Sequence, residues 1–256
     1  MRTRVAARIS AIVVSVVLAG CGPDGAVAPE TTPAVVAPAV TLQQVLDGLV
    51  VANLAEALMP MPVGLSEIAY GPGNCAYNAT ARRFNCDVTK FGSLTLTPSF
   101  TLLDASGAST PTFDPARTVS VRASLLVAGA YRFEGDDLVI EGSRELTLSV
   151  SVPRTLNGTS RVHLGGTRDG SPFDLTVTTT FADIVVTSAT GLAGWPVSGS
   201  ITVESTYAPG AGSAPVVYRS RMSFSGSSTV ALAMFTDGTT RNCSVDLSRA
   251  LIVACA

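Results

Sequence analysis

Phe173-Asp174-Leu175-Thr176-Val177-Thr178-Thr179-Thr180-Phe181 is the stretch whose reading decides the fold class. Phe173, Leu175, Val177, Thr179 and Phe181 share one parity, and Asp174, Thr176, Thr178 and Thr180 share the other. A period of two belongs to an extended chain whose side chains point alternately to opposite faces. Thr, Val and Phe also fit a pleated, half-buried surface. The segment therefore reads as a strand with one dry and one wet face.

The same pattern spreads outward. Val119, Val121, Ala123, Leu125 and Val127 alternate with Ser120, Arg122 and Ser124. Leu146, Leu148, Val150 and Val152 alternate with Thr147, Ser149 and Ser151. Val197, Gly199, Ile201, Val203 and Tyr207 alternate with Ser198, Ser200, Thr202 and Glu204. Gly135-Asp136-Asp137, Asn157-Gly158, Asp169-Gly170, Pro209-Gly210 and Asp237-Gly238 supply residues that favour turns between such strands. Long strands with short connections predict an antiparallel meander, forming a curved sheet, a half-barrel or a sandwich. Gly158, Ser160, Val162, Leu164, Asp169 and Gly170 recur, at a constant offset of 68, as Gly226, Ser228, Val230, Leu232, Asp237 and Gly238. A duplication of about 138–186 in about 195–247 would explain this echo, as would the few residue types that hairpins reuse.

Upstream the period changes. Thr41-Leu42-Gln43-Gln44 has the spacing of a capping box, and Leu42, Val45, Leu46 and Leu49 follow at helical intervals. One amphipathic helix is predicted over about 41–59, stopped by Met59-Pro60-Met61-Pro62 and packed on the sheet. Residues 21–40 are rich in Pro and Ala and read as an extended tether. The remainder, 41–256, reads as a single all-β domain carrying that helix.

The first 20 residues have the pattern of a secretory signal. Arg2, Arg4 and Arg8 precede an apolar run from Ile9, which closes on Leu18-Ala19-Gly20-Cys21. This segment resembles the lipobox of bacterial lipoproteins, the substrates of signal peptidase II. The resemblance implies cleavage before Cys21, lipidation of its thiol with palmitate or a similar acyl chain, and a membrane partner reached through that lipid. It covers 21 residues and says nothing about the mature domain. Gly22 follows the cysteine, where Asp would favour retention at the inner membrane; the expected place is thus the outer membrane, facing the periplasm or the cell surface.

Of 17 basic and 19 acidic residues, three arginines leave with the signal, so 14 stand against 19, a net of −5. No basic stripe is present, and nucleic acid is excluded as a partner. Once Cys21 is assigned to lipid, four cysteines remain in an exported chain, where disulfides persist. Folding 75–86 about its middle sets Cys75 opposite Cys86 and Tyr77 opposite Phe84 on one face. Cys243 similarly faces Cys255, with Leu247 opposite Leu251. Directly opposed residues lie within disulfide reach, so two local staples, 75–86 and 243–255, are expected.

Residues for chemistry are few. His163, the sole histidine, shares parity with Arg161 and should face water. Asp169 and Asp174 flank a turn, and Glu134-Gly135-Asp136-Asp137 with Glu141 reads as a solvated turn. Arg82-Arg83 falls at a hairpin tip, and Trp195-Pro196 reads as a core or edge plug. There is no Gly-x-Ser-x-Gly elbow, no Ser-x-x-Lys pair, no Walker loop and no metal-ligand spacing. No catalytic residue, metal ligand or cofactor is therefore expected. A transmembrane barrel is set aside for want of aromatic girdles.

The expected function is non-enzymatic: an anchored envelope protein binding or carrying an apolar ligand. In architecture alone, this resembles periplasmic lipoprotein carriers built from an open half-barrel with a helical lid. The alternative is a structural role through contact with another envelope protein. An enzyme of unfamiliar type is the third reading; it would require a cleft with perturbed titratable groups.

Overall fold

The computed structural model describes residues 75–133, 136–168, 171–187, 195–208, 210, 214–236, 238–247 and 252–255. The signal segment, Cys21, the tether and the predicted helix over 41–59 lie outside the described residues. So do Asp169, Gly170 and Leu251.

Among the described residues fourteen strands form in chain order. They are β1 (Cys75–Asn78), β2 (Arg83–Cys86), β3 (Thr89–Phe91), β4 (Leu94–Asp104) and β5 (Ser109–Thr110). β6 (Thr118–Phe133), β7 (Asp136–Ser149), β8 (Arg154–Arg168) and β9 (Ser171–Val186) are the longest. β10 (Ser198–Ala208), β11 (Val216–Ser223), β12 (Thr229–Thr236), β13 (Thr239–Asp246) and β14 (Ile252–Cys255) complete the set. All belong to one open, curved, antiparallel sheet, in the order β1-β2-β4-β6-β7-β8-β9-β10-β11-β12-β13-β14. From β6 onward each strand pairs with its successor, as a meander requires. Among the described residues a single sheet forms, not the two stacked sheets of a sandwich. The outer side of β4 carries β3, β2 and β5 in turn, with a break at Thr97–Pro98. Proline has no N–H to donate there.

Cross-strand partners share a face, so the register sorts the side chains. One face carries Phe100, Val121, Leu146, Leu156, Phe181, Ile201, Met222, Leu232 and Val245, all buried. The other carries Thr176, Thr178 and Thr180 of β9 beside Thr202, Glu204 and Thr206 of β10. Alternation thus places the apolar and hydroxyl-rich faces as the sequence predicts.

Three expectations fail at strand ends, Val119 and Val197 beside register shifts and Val152 beyond the end of its strand. Val119, Val152 and Val197 were assigned to the dry face but are exposed by 44%, 50% and 41%. The β4–β6 register shifts at Leu103/Asp104 and the β9–β10 register at Ser198/Ser200, and β7 ends at Ser149. A bulge adds a residue and reverses the parity beyond it. Asn157-Gly158 is not a turn either. It lies inside β8 at a third register shift, where Asn157 Oδ1 accepts from the Asp183 N–H (2.7 Å) and its Nδ2 donates to Asp183 Oδ1 (3.2 Å). Asp136 and Asp137 likewise already belong to β7.

The two stretches that share the echo fall on β7–β9 and on β10–β13. In both echoed hairpins the strands pair up to a two-residue connection, Arg168↔Ser171 and Thr236↔Thr239.

The β4–β5 turn is organised by Asp104, whose carboxylate accepts from Ser106 Oγ (2.6 Å), Ser106 N–H (2.9 Å) and Ala108 N–H (3.0 Å). The Ser106 hydroxyl chiefly, then the backbone amides, hold this carboxyl below its ordinary value of 3.8. A carboxylate with a depressed folded value stabilises the fold above its unfolded pKa, and this contribution is lost as pH falls through the folded one. In an NMR titration the Ser106 and Ala108 amides should therefore shift with a midpoint below 3.8.

Candidate functional site

The cysteines frame the apolar face. Cys75 and Cys86 are bonded to one another across β1–β2, with Tyr77 opposite Phe84 as the spacing predicts. Their neighbours are Phe84, Phe100, Leu102 and Val121, so this staple closes one end of the core. At the far end Cys243 is disulfide-bonded and stands opposite Cys255 in the β13–β14 register. The Cys75–Cys86 bond holds the outermost strand β1 to its neighbour β2.

Between these ends, burial on the apolar face is graded along the strands. Ladder partners Phe181, Ile201, Met222 and Leu232 form a sealed row. Three rows away, Ile140, Leu164, Leu175, Tyr207 and Val216 are equally apolar but only half-buried. One end of the face is therefore closed and the other is accessible. That geometry suits an elongated apolar guest.

Polar residues cross the middle of this face. Arg144 of β7 is opposite Ser160 of β8, and Ser160 is opposite Thr179 of β9. Val203 of β10 joins Thr179 to Ser220 of β11 in the same row. Ser205 stands in the next row, between Val177 and Tyr218. Ser160, Thr179, Ser205 and Ser220 are all buried. Ser205 is only 1% exposed, and its Oγ has no hydrogen-bond partner. Leaving a buried hydroxyl unpartnered costs about 1–3 kcal/mol, so a valine or alanine would suit a purely structural core better. Sequence reading passed over this band because Ser and Thr are ordinary in strands. The available signal was their parity: Thr179 and Ser205 interrupt apolar sets instead of joining the wet ones.

The residues considered for chemistry lie on the opposite face. His163 Nε2 is 2.5 Å from Asp174 Oδ2, with side chains 39% and 56% exposed. Gly165 leaves room beside the imidazole, 3.4 Å from its Cε1 to an added Cβ. Asp174 thus pairs with His163, and Glu141 is the register partner of His163 on β7. An exposed pair of this kind contributes at most about 1 kcal/mol. Arg161 is exposed on the same face, as parity predicts. Arg83 Nε donates to Asn85 Oδ1 (2.9 Å) at the hairpin tip, while Pro196 is buried and Trp195 half-buried. Among the described residues no three His, Cys, Asp or Glu side chains gather as a metal site.

Comparison of the chain with protein-family models, with curated proteins and with solved structures gives no match.

Proposed function

We propose that the protein is an exported, lipid-anchored carrier of an apolar ligand in the cell envelope, with no enzymatic role. The observation that carries this reading is the graded burial of one apolar sheet face, sealed at Ile201 and Met222 and accessible at Leu164 and Leu175. In this reading the sheet acts as a half-barrel. Cys21 supplies the anchor, at the outer membrane. The structural alternative would use the sheet edges, but β1 and β14 are only four residues long. Short edges are poor templates for strand addition.

Two measurements on the full chain test the proposal. Radiolabelled palmitate should attach to the wild type and not to Cys21→Ser, and globomycin should block processing of the precursor. Organic extraction of membrane-purified protein should release non-covalent acyl lipid, while the covalent anchor stays with the polypeptide. Protein that yields no extractable lipid and binds no long-chain probe would end the carrier reading. Absence of label would end the anchor.

A further inference from the structure

We infer that the hydroxyl band on the apolar face is a head-group subsite, and that the ligand is an amphiphile presenting hydrogen-bond-accepting oxygens, a long-chain carboxylate. This rests on the carrier reading and deepens it. Four adjacent strands, β8 to β11, each contribute one buried hydroxyl to the band: Ser160, Thr179, Ser205 and Ser220. The rows on either side are apolar, so the band is a polar line drawn across an otherwise greasy surface.

A purely hydrocarbon guest would leave Ser205 Oγ unsatisfied. An oxygen-bearing head laid along the band would accept from Ser205 Oγ, which has no partner in the protein, while its chain follows the apolar rows toward Leu175 and Tyr207. A buried hydroxyl is a donor whose worth is realised only when an acceptor arrives. Arg144, at the end of the same row and with an interaction of its own, adds positive charge on that side of the band. Charge and donor pattern together favour an anionic head over a neutral or cationic one.

The test uses the delipidated full chain, with cis-parinaric acid as fluorescent probe and oleate, methyl oleate and octadecene as competitors. Oleate should compete at least about tenfold better than octadecene, with methyl oleate between them. Thr179→Val combined with Ser205→Ala should bring that ratio close to one and leave octadecene binding unchanged. Its thermal midpoint should equal or exceed that of the wild type, since two buried hydroxyls are removed without loss of shape. Ser205→Ala alone provides the smaller perturbation should the double variant fold poorly. Equal competition by oleate and octadecene in the wild type, or a ratio unaltered in the variants, overturns the head-group subsite and leaves the carrier standing. Failure of every long-chain probe to bind removes both.

Discussion

Gly199→Ala should lower the stability of the sheet by about 3–5 kcal/mol, read as a reduced denaturant midpoint with an unchanged slope. Gly199 has φ +101°, and an added Cβ would sit 2.4 Å from the Asp183 carbonyl oxygen and 2.5 Å from Ile184 Cα. Both are backbone atoms of the neighbouring strand, so no rotamer change relieves the clash. β9 and β10 would have to separate where the register of β9 shifts on both of its sides. Gly158 presents the same problem toward β7, with φ +151° and an added Cβ 2.1 Å from the Glu145 carbonyl oxygen. Asn157→Ala tests the same seam through hydrogen bonds alone. It removes the acceptor for the Asp183 N–H, and Asp183 itself has φ +49°. That loss should be about 1–2 kcal/mol. A glycine variant no worse than Asn157→Ala would mean that the seam yields easily, and close approach would not be what fixes it.

This seam marks the boundary of what the sequence discloses. Between bulges, parity is reliable: Cys75 meets Cys86, Tyr77 meets Phe84, and Val121, Ala123, Leu125 and Val127 lie on the dry side. At a bulge the chain gains a residue without announcing it in composition. Phe181 is buried, yet the next buried apolar residue is Ile184, three positions on, because Asp183 has turned into the left-handed region. Asn157-Gly158 resembles a hairpin turn in composition, since the same conformational freedom serves a turn and a close strand approach. The site was less legible than the fold. Its apolar members follow from alternation, but Ser160 and Ser220 join the band only through register across four strands. Pairing partners so distant in the chain are set by tertiary contacts, which local pattern does not encode.

Phe100→Ala should cost about 3–5 kcal/mol and act on the whole sheet, whereas Phe84→Ala should release only its first hairpin. Phe100 is buried with Leu102 and Val121, and it stacks on Phe84 with ring centroids 4.6 Å apart. The β1–β2 hairpin joins β4 through just two register pairs, Phe84↔Phe100 and Asn85↔Ser99. Losing Phe84 therefore removes most of what docks the hairpin, while the Cys75–Cys86 bond keeps the hairpin itself closed. Arg82 and Arg83 are exposed at its tip, between the two cysteines, and make a suitable trypsin site. In Phe84→Ala, cleavage there should accelerate while the denaturant midpoint of the sheet changes little. The two fragments should stay joined on a non-reducing gel and part on a reducing one. In Phe100→Ala the midpoint itself should fall, because the lost volume lies within the cluster that seals this end of the apolar face. Equal global destabilisation by both variants would show that hairpin and sheet fold as one unit. The two-pair seam would then be more strongly coupled than its hydrogen bonds alone can explain.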